Sequence, residues 1–285
     1  RGLLGEAAPL SPASVARLKA RWQEDYAEWR RSPITEEIVY LWADGIYVKA
    51  GLEKEKAALL TVIAGLRDGT KRVLAVSSGY RESQESWSEV LRELVARGMN
   101  PPRLVIADGN LGLWAALAAI GWECGEQLCW NHKARNVLDA MPKSEQPAAK
   151  ELLSAMQQAE TRAEAVKLRS RFEERNRARA PKDCEKLRRD WERLMSFYSF
   201  PQEHWKHLRT SNVVESPFAA VRLRTGASKR FKKVANAEAL IWKVLMVAEK
   251  RFRKLNAPHL LAEVAAGVRF EDGIRKPNRL QAHDA

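Results

Sequence analysis

Ile38-Val39-Tyr40-Leu41-Trp42-Ala43 is a continuous β-branched and aromatic run that leads directly into Asp44, and two comparable runs follow it, Ala58-Leu59-Leu60-Thr61-Val62-Ile63-Ala64 and Arg72-Val73-Leu74-Ala75-Val76-Ser77. Runs of this kind read as strands, because branched and aromatic side chains fill a pleated, buried surface well. Between the second and third, Arg67-Asp68-Gly69-Thr70 has the chemistry of a tight turn, which predicts an antiparallel hairpin. Residues 83–97 then place Trp87, Val90, Leu91, Leu94 and Val95 at helical spacing and stop at Gly98. Arg103-Leu104-Val105-Ile106-Ala107 reads as a fourth strand ending on Asp108, residues 111–120 as an apolar-faced helix closed by Gly121, and Gln127-Leu128-Cys129-Trp130 as a short fifth strand. Three strands, helix, strand, helix and strand imply an α/β domain with a mixed sheet flanked by helices, not a strictly alternating doubly wound one.

Outward from this core, Ser11 is a plausible N-cap and Pro12 a first helical residue for a basic helix running to about Trp29. Only about ten residues precede that helix, too few for a complete helix-turn-helix, so residues 1–33 read as the remnant of an amino-terminal DNA-binding region. The alternative is an ordinary amphipathic helix packed on the domain. Residues 34–142 hold the first part of the sheet domain, whose element order matches a ribonuclease-H-like fold, with a helix over 131–141 broken by Pro142. Residues 143–202, rich in Ala, Glu, Lys, Arg and Leu, should form an all-helical insertion interrupted near Ala180-Pro181. Residues 203–275 complete the domain with a helix after Arg209-Thr210-Ser211-Asn212 and a long helix from about Ala235 to Leu255, before a frayed tail over 276–285.

Bulk properties narrow the function. With 285 residues and 45% apolar content the chain can bury a substantial core, and no run is long and apolar enough to span a membrane. The start lacks a secretion signal, and the three cysteines, Cys124, Cys129 and Cys184, have no framework spacing, which favours reduced thiols and a cytoplasmic protein. The net charge of +13 favours a polyanion, since neutralising phosphates releases condensed counterions. That charge is localised: residues 203–254 carry thirteen basic and four acidic side chains.

Asp44 and Asp108 each follow an apolar strand, where loops gather ligand sites. Clustered carboxylates raise one another's pKa unless a cation neutralises them. Mg²⁺ or Mn²⁺, bound by oxygen ligands and substrate phosphate, suits such a set and serves phosphoryl transfer in pairs. No His or Lys general base stands near either aspartate in the sequence. Among many downstream acids, Glu215 is the choice for a third, because Val213, Val214, Phe218 and Val221 make an apolar stripe that leaves it on a different face. Arg209, Arg222 and Arg224 nearby are suited to phosphate. Any single acid of this kind could equally be a solvated surface group.

At this point the residues resemble a known family. Ala43-Asp44-Gly45-Ile46-Tyr47, Arg81-Glu82-Ser83 with Trp87, Asp108-Gly109-Asn110-Leu111-Gly112-Leu113, Gln127-Leu128-Cys129-Trp130-Asn131-His132-Lys133 with Asn136, Phe200-Pro201 with His204-Trp205, and Arg209-Thr210-Ser211-Asn212-Val213-Val214-Glu215-Ser216 together resemble the mutator-type insertion-sequence transposases, bacterial relatives of the Mutator transposases. The resemblance implies a DDE transposase with a ribonuclease-H-like catalytic domain and an all-helical insertion before the glutamate. It assigns Asp44, Asp108 and Glu215 as the metal-binding acids, 64 and 107 positions apart. It implies cleavage at transposon inverted-repeat ends and 3'-hydroxyl strand transfer into target DNA, by a homo-oligomer on double-stranded DNA.

Cys129 and His132 form a Cys-x-x-His pair belonging to this family's signature. Neither Cys124 nor Cys184 has the spacing to complete a four-ligand zinc site, so the pair, with Asn212, is expected to shape the catalytic pocket. The alternative is a packed cysteine and a helix-capping histidine. Trp130 and Trp205 could stack on a base, although core packing is the expectation. Lys229, Arg230, Lys232 and Lys233, the densest basic run, are expected to track a DNA backbone. The short amino end leaves a second possibility, a truncated, non-catalytic DNA-binding remnant.

Overall fold

A computed structural model describes residues 11–50, 57–79, 81–109, 111–226 and 230–277. Helix α1 (Pro12–Arg31) opens with Ser11, whose hydroxyl accepts from the Ser14 N–H, as the capping chemistry predicts. Strands β1 (Ile38–Val48), β2 (Ala57–Leu66) and β3 (Lys71–Gly79) follow, then α2 (Gln84–Ala96), capped by Ser83 and stopped before Gly98 at φ +99°. Strand β4 (Leu104–Ala107), helix α3 (Leu111–Ala119) and strand β5 (Gly125–Leu128) complete a five-stranded sheet of order β3-β2-β1-β4-β5. β1, β2 and β3 pair antiparallel, whereas β4 and β5 add in parallel, so the sheet is mixed. The hairpin turn lies where expected, with Gly69 at φ +84° and Asp68 accepting from the Thr70 N–H at 2.9 Å.

Helix α4 (Trp130–Leu138) leads into a wholly helical stretch, α5 (Gln146–Gln158), α6 (Arg162–Asn176), α7 (Pro181–Arg189) and α8 (Trp191–Leu194). Two short 3₁₀ turns and α9 (Trp205–Leu208) then deliver α10 (Asn212–Gly226) and α11 (Val234–Glu249). Helix α12 (His259–Ala265) and a small ribbon of β6 (Phe270–Glu271) and β7 (Ile274–Arg275) end the described chain. Sequence periodicity did not reveal these last three elements, which are short and pack by tertiary contact. No described helix is long and apolar enough to cross a membrane.

Three boundaries differ from the sequence reading for identifiable reasons. β1 does not end before Asp44: β2 keeps pairing with it, from Ile38↔Leu66 to Val48↔Ala57, and carries it on to Val48. The fifth strand ends at Leu128, opposite Ala107 where β4 ends, so Cys129 and Trp130 open α4 instead. α11 stops at Glu249 rather than near Leu255, because the chain turns to dock on the hairpin, with the Leu255 N–H donating to the Gly69 carbonyl at 2.8 Å. The tail expected to fray lies outside the described residues from 278 onward.

Candidate active site

β1 and β4 pair in parallel as Tyr40↔Leu104, Leu41↔Val105 and Trp42↔Ile106. Both aspartates stand two positions beyond the last registered pair, Asp44 still on β1 and Asp108 just past the end of β4. β4 has ended at Ala107, so the sheet opens between the two aspartates while β2 still supports β1 from the other side. The next strand is stitched to this point by the Cys129 N–H, which donates to the Ala107 carbonyl at 2.7 Å. From there the Trp130 N–H donates to the Arg209 carbonyl at 2.9 Å, and the Ser211 N–H to Cys129 Sγ at 3.3 Å. These bonds tie the end of β5 to the start of α10, whose first turn carries Glu215. The fold therefore brings Asp44, Asp108 and Glu215 to one opening from sequence positions far apart.

Electrostatics agree with that convergence. Burial raises the Asp44 carboxyl to about 7; the Gly45 N–H, donating to Oδ1 at 2.8 Å, opposes this, and the carboxylates of Glu82, Asp108 and Glu215 add to it. Glu82 is thus a fourth acid at the opening, one that sequence reasoning passed over although it stood in a quoted motif. Its side chain lies over Gly45, where an added Cβ would come within 2.5 Å of Oε1. The Tyr47 hydroxyl is pushed up to about 12, by burial first and then by Glu82. Directly across β1 from Asp44 stands Thr61, whose buried hydroxyl has no hydrogen-bond partner. An acid set dominated by oxygen donors, with one carboxyl raised by burial and by its acidic neighbours, fits a hard divalent cation.

The pair expected to shape the pocket lies against the third acid. Cys129 Sγ, a His132 ring nitrogen and a Glu215 oxygen all fall within 4.8 Å of one another. Ser211 is the missed member: its hydroxyl donates to Glu215 Oε1 and lies 3.4 Å from His132 Nδ1, which is 3.9 Å from the same carboxylate oxygen. The hydrogen bond with Cys129 raises His132 to about 9 against the opposing effect of burial, with further help from Cys129, Glu215 and Asp108. Burial pushes the Cys129 thiol up, yet hydrogen bonds from His132 and Ser211 outweigh it and leave the thiol lowered. A histidine therefore does stand near the acids, brought there by the fold and not by sequence proximity. Asn212 is exposed at the head of α10 and accepts from Asn131 Nδ2 at 3.3 Å.

The basic residues divide. Arg222 and Arg224 are exposed on α10, and Arg222, seven residues after Glu215, shares its helical face. Arg230, Lys232 and Lys233 are exposed before α11, and Lys229 lies outside the described residues. Arg209 has a packing role: its guanidinium lies over the rings of Phe197 at 4.9 Å and Trp205 at 5.1 Å and donates to Gln158 Oε1 at 3.2 Å. Trp130 and Trp205 are core residues, at 0% and 2% exposure, donating to the carbonyls of Leu194 and Phe200. Base stacking on either ring is excluded by that burial.

A family model described as Transposase, Mutator family, matches residues 3–254. The transposase for insertion sequence element IS6120 of Mycolicibacterium smegmatis is 42% identical over 271 residues, covering 95% of this chain and 84% of that protein. The transposase for insertion sequence element IST2 of Acidithiobacillus ferrooxidans is 42% identical over 275 residues, covering 95% and 93%. At greater distance, the transposase for IS1081 of Mycobacterium tuberculosis is 27% identical over 239 residues, covering 83% and 58%.

Proposed function

The chain belongs to the Mutator family of transposases, and from that premise we propose that it cuts DNA at the ends of an insertion sequence and joins the freed 3'-hydroxyl to target DNA, using Asp44, Asp108 and Glu215. The observation that carries this reading is the opening beside β1, with Asp44 on β1, Asp108 just past the end of β4 and Glu215 in the first turn of α10, both of the latter adding to the charge that acts on Asp44. The strand order β3-β2-β1-β4-β5, antiparallel then parallel, supports a ribonuclease-H-like core. The helices α5 to α8 support an all-helical insertion ahead of Glu215.

Asp44, Asp108 and Glu215 would hold a pair of Mg²⁺ or Mn²⁺ ions, with Glu82 within electrostatic reach. When bound, such ions lower the pKa of an attacking water or 3'-hydroxyl and neutralise charge on the leaving 3'-oxygen. The chain's own groups supply position. The Gly45 N–H occupies one oxygen of Asp44, leaving the other free to face the opening. The Ser211 hydroxyl orients Glu215, and His132 places positive charge beside it. Arg222, on the face of Glu215, would hold a neighbouring phosphate. In cleavage, water adds to phosphorus as the bond to the 3'-oxygen breaks, releasing a 3'-hydroxyl. In joining, that hydroxyl attacks a target phosphodiester and displaces another 3'-oxygen, so one phosphoester bond forms for each one lost.

Asp44→Asn, Asp108→Asn and Glu215→Gln should each lower metal-dependent nicking of DNA carrying the element's ends by at least about a hundredfold. Undiminished nicking in these variants would overturn the triad. A joined strand-transfer product separates a transposase from a nuclease of the same fold.

A further inference from the structure

Between α1 and the start of α11 lies a pocket of about 320 Å³ that the catalytic reading does not use. Its rim carries three cations, Lys19 from α1 and Arg230 and Lys232 from the segment before α11, and no acidic side chain is among the described residues lining it. Its walls are apolar and aromatic, from Trp22, Phe231 and Leu240. Trp22, Phe231 and Leu240 are half-buried, packing against the core while lining the pocket. The two sides are clamped together by Gln23 Nε2, which donates to Asn236 Oδ1 at 2.8 Å. An enclosed aromatic surface ringed by positive charge is the chemistry that takes a base by stacking and its flanking phosphates by charge.

The position suits the same conclusion. The Phe231 N–H donates to the Lys49 carbonyl at 2.9 Å, and Phe231 bridges Ala50 in parallel, so the pocket is fastened to the continuation of β1. Six residues of extended chain separate Ala50 from Asp44, roughly 20 Å at ~3.3 Å per residue. Phosphates along one strand of duplex rise about every 3.4 Å, so a strand laid along β1 from the acids would reach the pocket after about six nucleotides. The exposed Arg222 and Arg224 of α10 offer further contacts to phosphate.

We propose that this pocket holds one unstacked nucleotide of the bound DNA, its base against Trp22 and Phe231 and its phosphates against Lys19, Arg230 and Lys232. The inference rests on the reading of the chain as a DNA transposase and adds to it a site that distinguishes distorted from regular duplex. A base already unpaired enters without the cost of breaking its pair, so DNA open at that point should bind more tightly.

The test compares binding of two fluorescein-labelled duplexes of the element's end, one fully paired and one with a three-nucleotide single-stranded gap about six nucleotides from the cleavage point, by anisotropy at 0.15 M salt. Wild-type protein should bind the gapped duplex about tenfold more tightly. Phe231→Leu, which keeps apolar bulk without an aromatic face, should bring the ratio below about two, with the loss of affinity falling mainly on the gapped duplex. Lys19→Gln should weaken both duplexes equally, and matched melting curves show that each variant is folded. Equal binding by the wild type, or an intact ratio in Phe231→Leu, overturns the proposal. So does a shift from dimer to monomer in Phe231→Leu with the ratio unchanged, since the pocket would then receive a second copy. In the wild type, absence of a gap preference beside normal duplex binding and nicking defeats the pocket alone, whereas failure of the wild type to bind either duplex defeats the transposase reading with it.

Discussion

Asp44 carries an electrostatic cost. Its carboxyl is raised from 3.8 to about 7, so the folded state binds a proton that the unfolded chain has already released. Stability is therefore full below the unfolded pKa and declines as pH rises from about 4 to 7. Asp44→Asn should remove this loss, raising metal-free stability at pH 8 by about 3 kcal/mol in urea denaturation, with the gain shrinking towards zero near pH 4. A flat difference across that range would show that neither burial nor the neighbouring carboxylates raise Asp44. Gly112 constrains the site sterically: a Cβ there would meet the Glu82 carbonyl oxygen at 2.2 Å and the Ser83 carbonyl carbon at 2.7 Å. Gly112→Ala should cost about 1–3 kcal/mol and move Glu82 from its place over Gly45, read as a lower denaturation midpoint with reduced nicking. The two aspartates were legible as acids after apolar runs. Glu82, Ser211 and Thr61 were not, because nothing local marks them; they matter through what lies opposite. The His204 of a quoted motif proves to be a core residue, its Nδ1 2.8 Å from the Tyr40 hydroxyl.

Elements that the sequence outlined are held by contacts it could not display. β3 is an edge strand, and its open backbone groups are met by side chains: Ser78 N–H by Glu238, Leu74 carbonyl by Arg97, and Val76 carbonyl by the Tyr26 hydroxyl. Such capping keeps the edge from pairing with another chain. It also gives α1 a structural task, packing on α11 through Tyr26, Trp29 and Trp242. Tyr26→Phe should destabilise by about 1–2 kcal/mol, measured by thermal or urea unfolding, because a buried carbonyl loses its donor. The helical stretch is joined to the sheet domain by Lys133 of α4, 6% exposed, paired with Asp190 between α7 and α8. Lys133→Met alone should cost about 3–5 kcal/mol, and Lys133→Met with Asp190→Leu should recover most of it, a coupling that a double-mutant cycle measures. Additive losses would mean that the two charges act independently.

Across the whole molecule, the excess of positive charge gathers on one run of chain and reaches solvent there, at Arg222, Arg224, Arg230, Lys232 and Lys233. If these cations meet phosphates, the logarithm of affinity should fall with the logarithm of salt with a slope of about −4 to −5. Arg222→Gln with Arg224→Gln should reduce that slope by about 2, in anisotropy titrations from 50 to 300 mM salt. An unchanged slope would remove α10 from the DNA path. Arg209, counted with the phosphate-binding group on charge alone, is instead engaged by aromatic rings, since a guanidinium is weakly hydrated and stacks readily.

The amino-acid sequence by itself determined the kinds and order of the elements as far as α11, the mixed character of the sheet, the two aspartates and the basic carboxy-terminal run. It could do so because strand and helix periodicity, turn chemistry and charge are local properties of the chain. Where each strand stops, which further side chains, Glu82, Ser211 and His132, gather around the acids, and which arginine reaches solvent were decided by the tertiary structure. β2 extends β1 through Asp44, β4 ends and leaves the sheet open beside it, and Cys129 and Ser211 draw α10 to that opening. Each of these depends on contacts between residues distant in sequence, which no local pattern encodes.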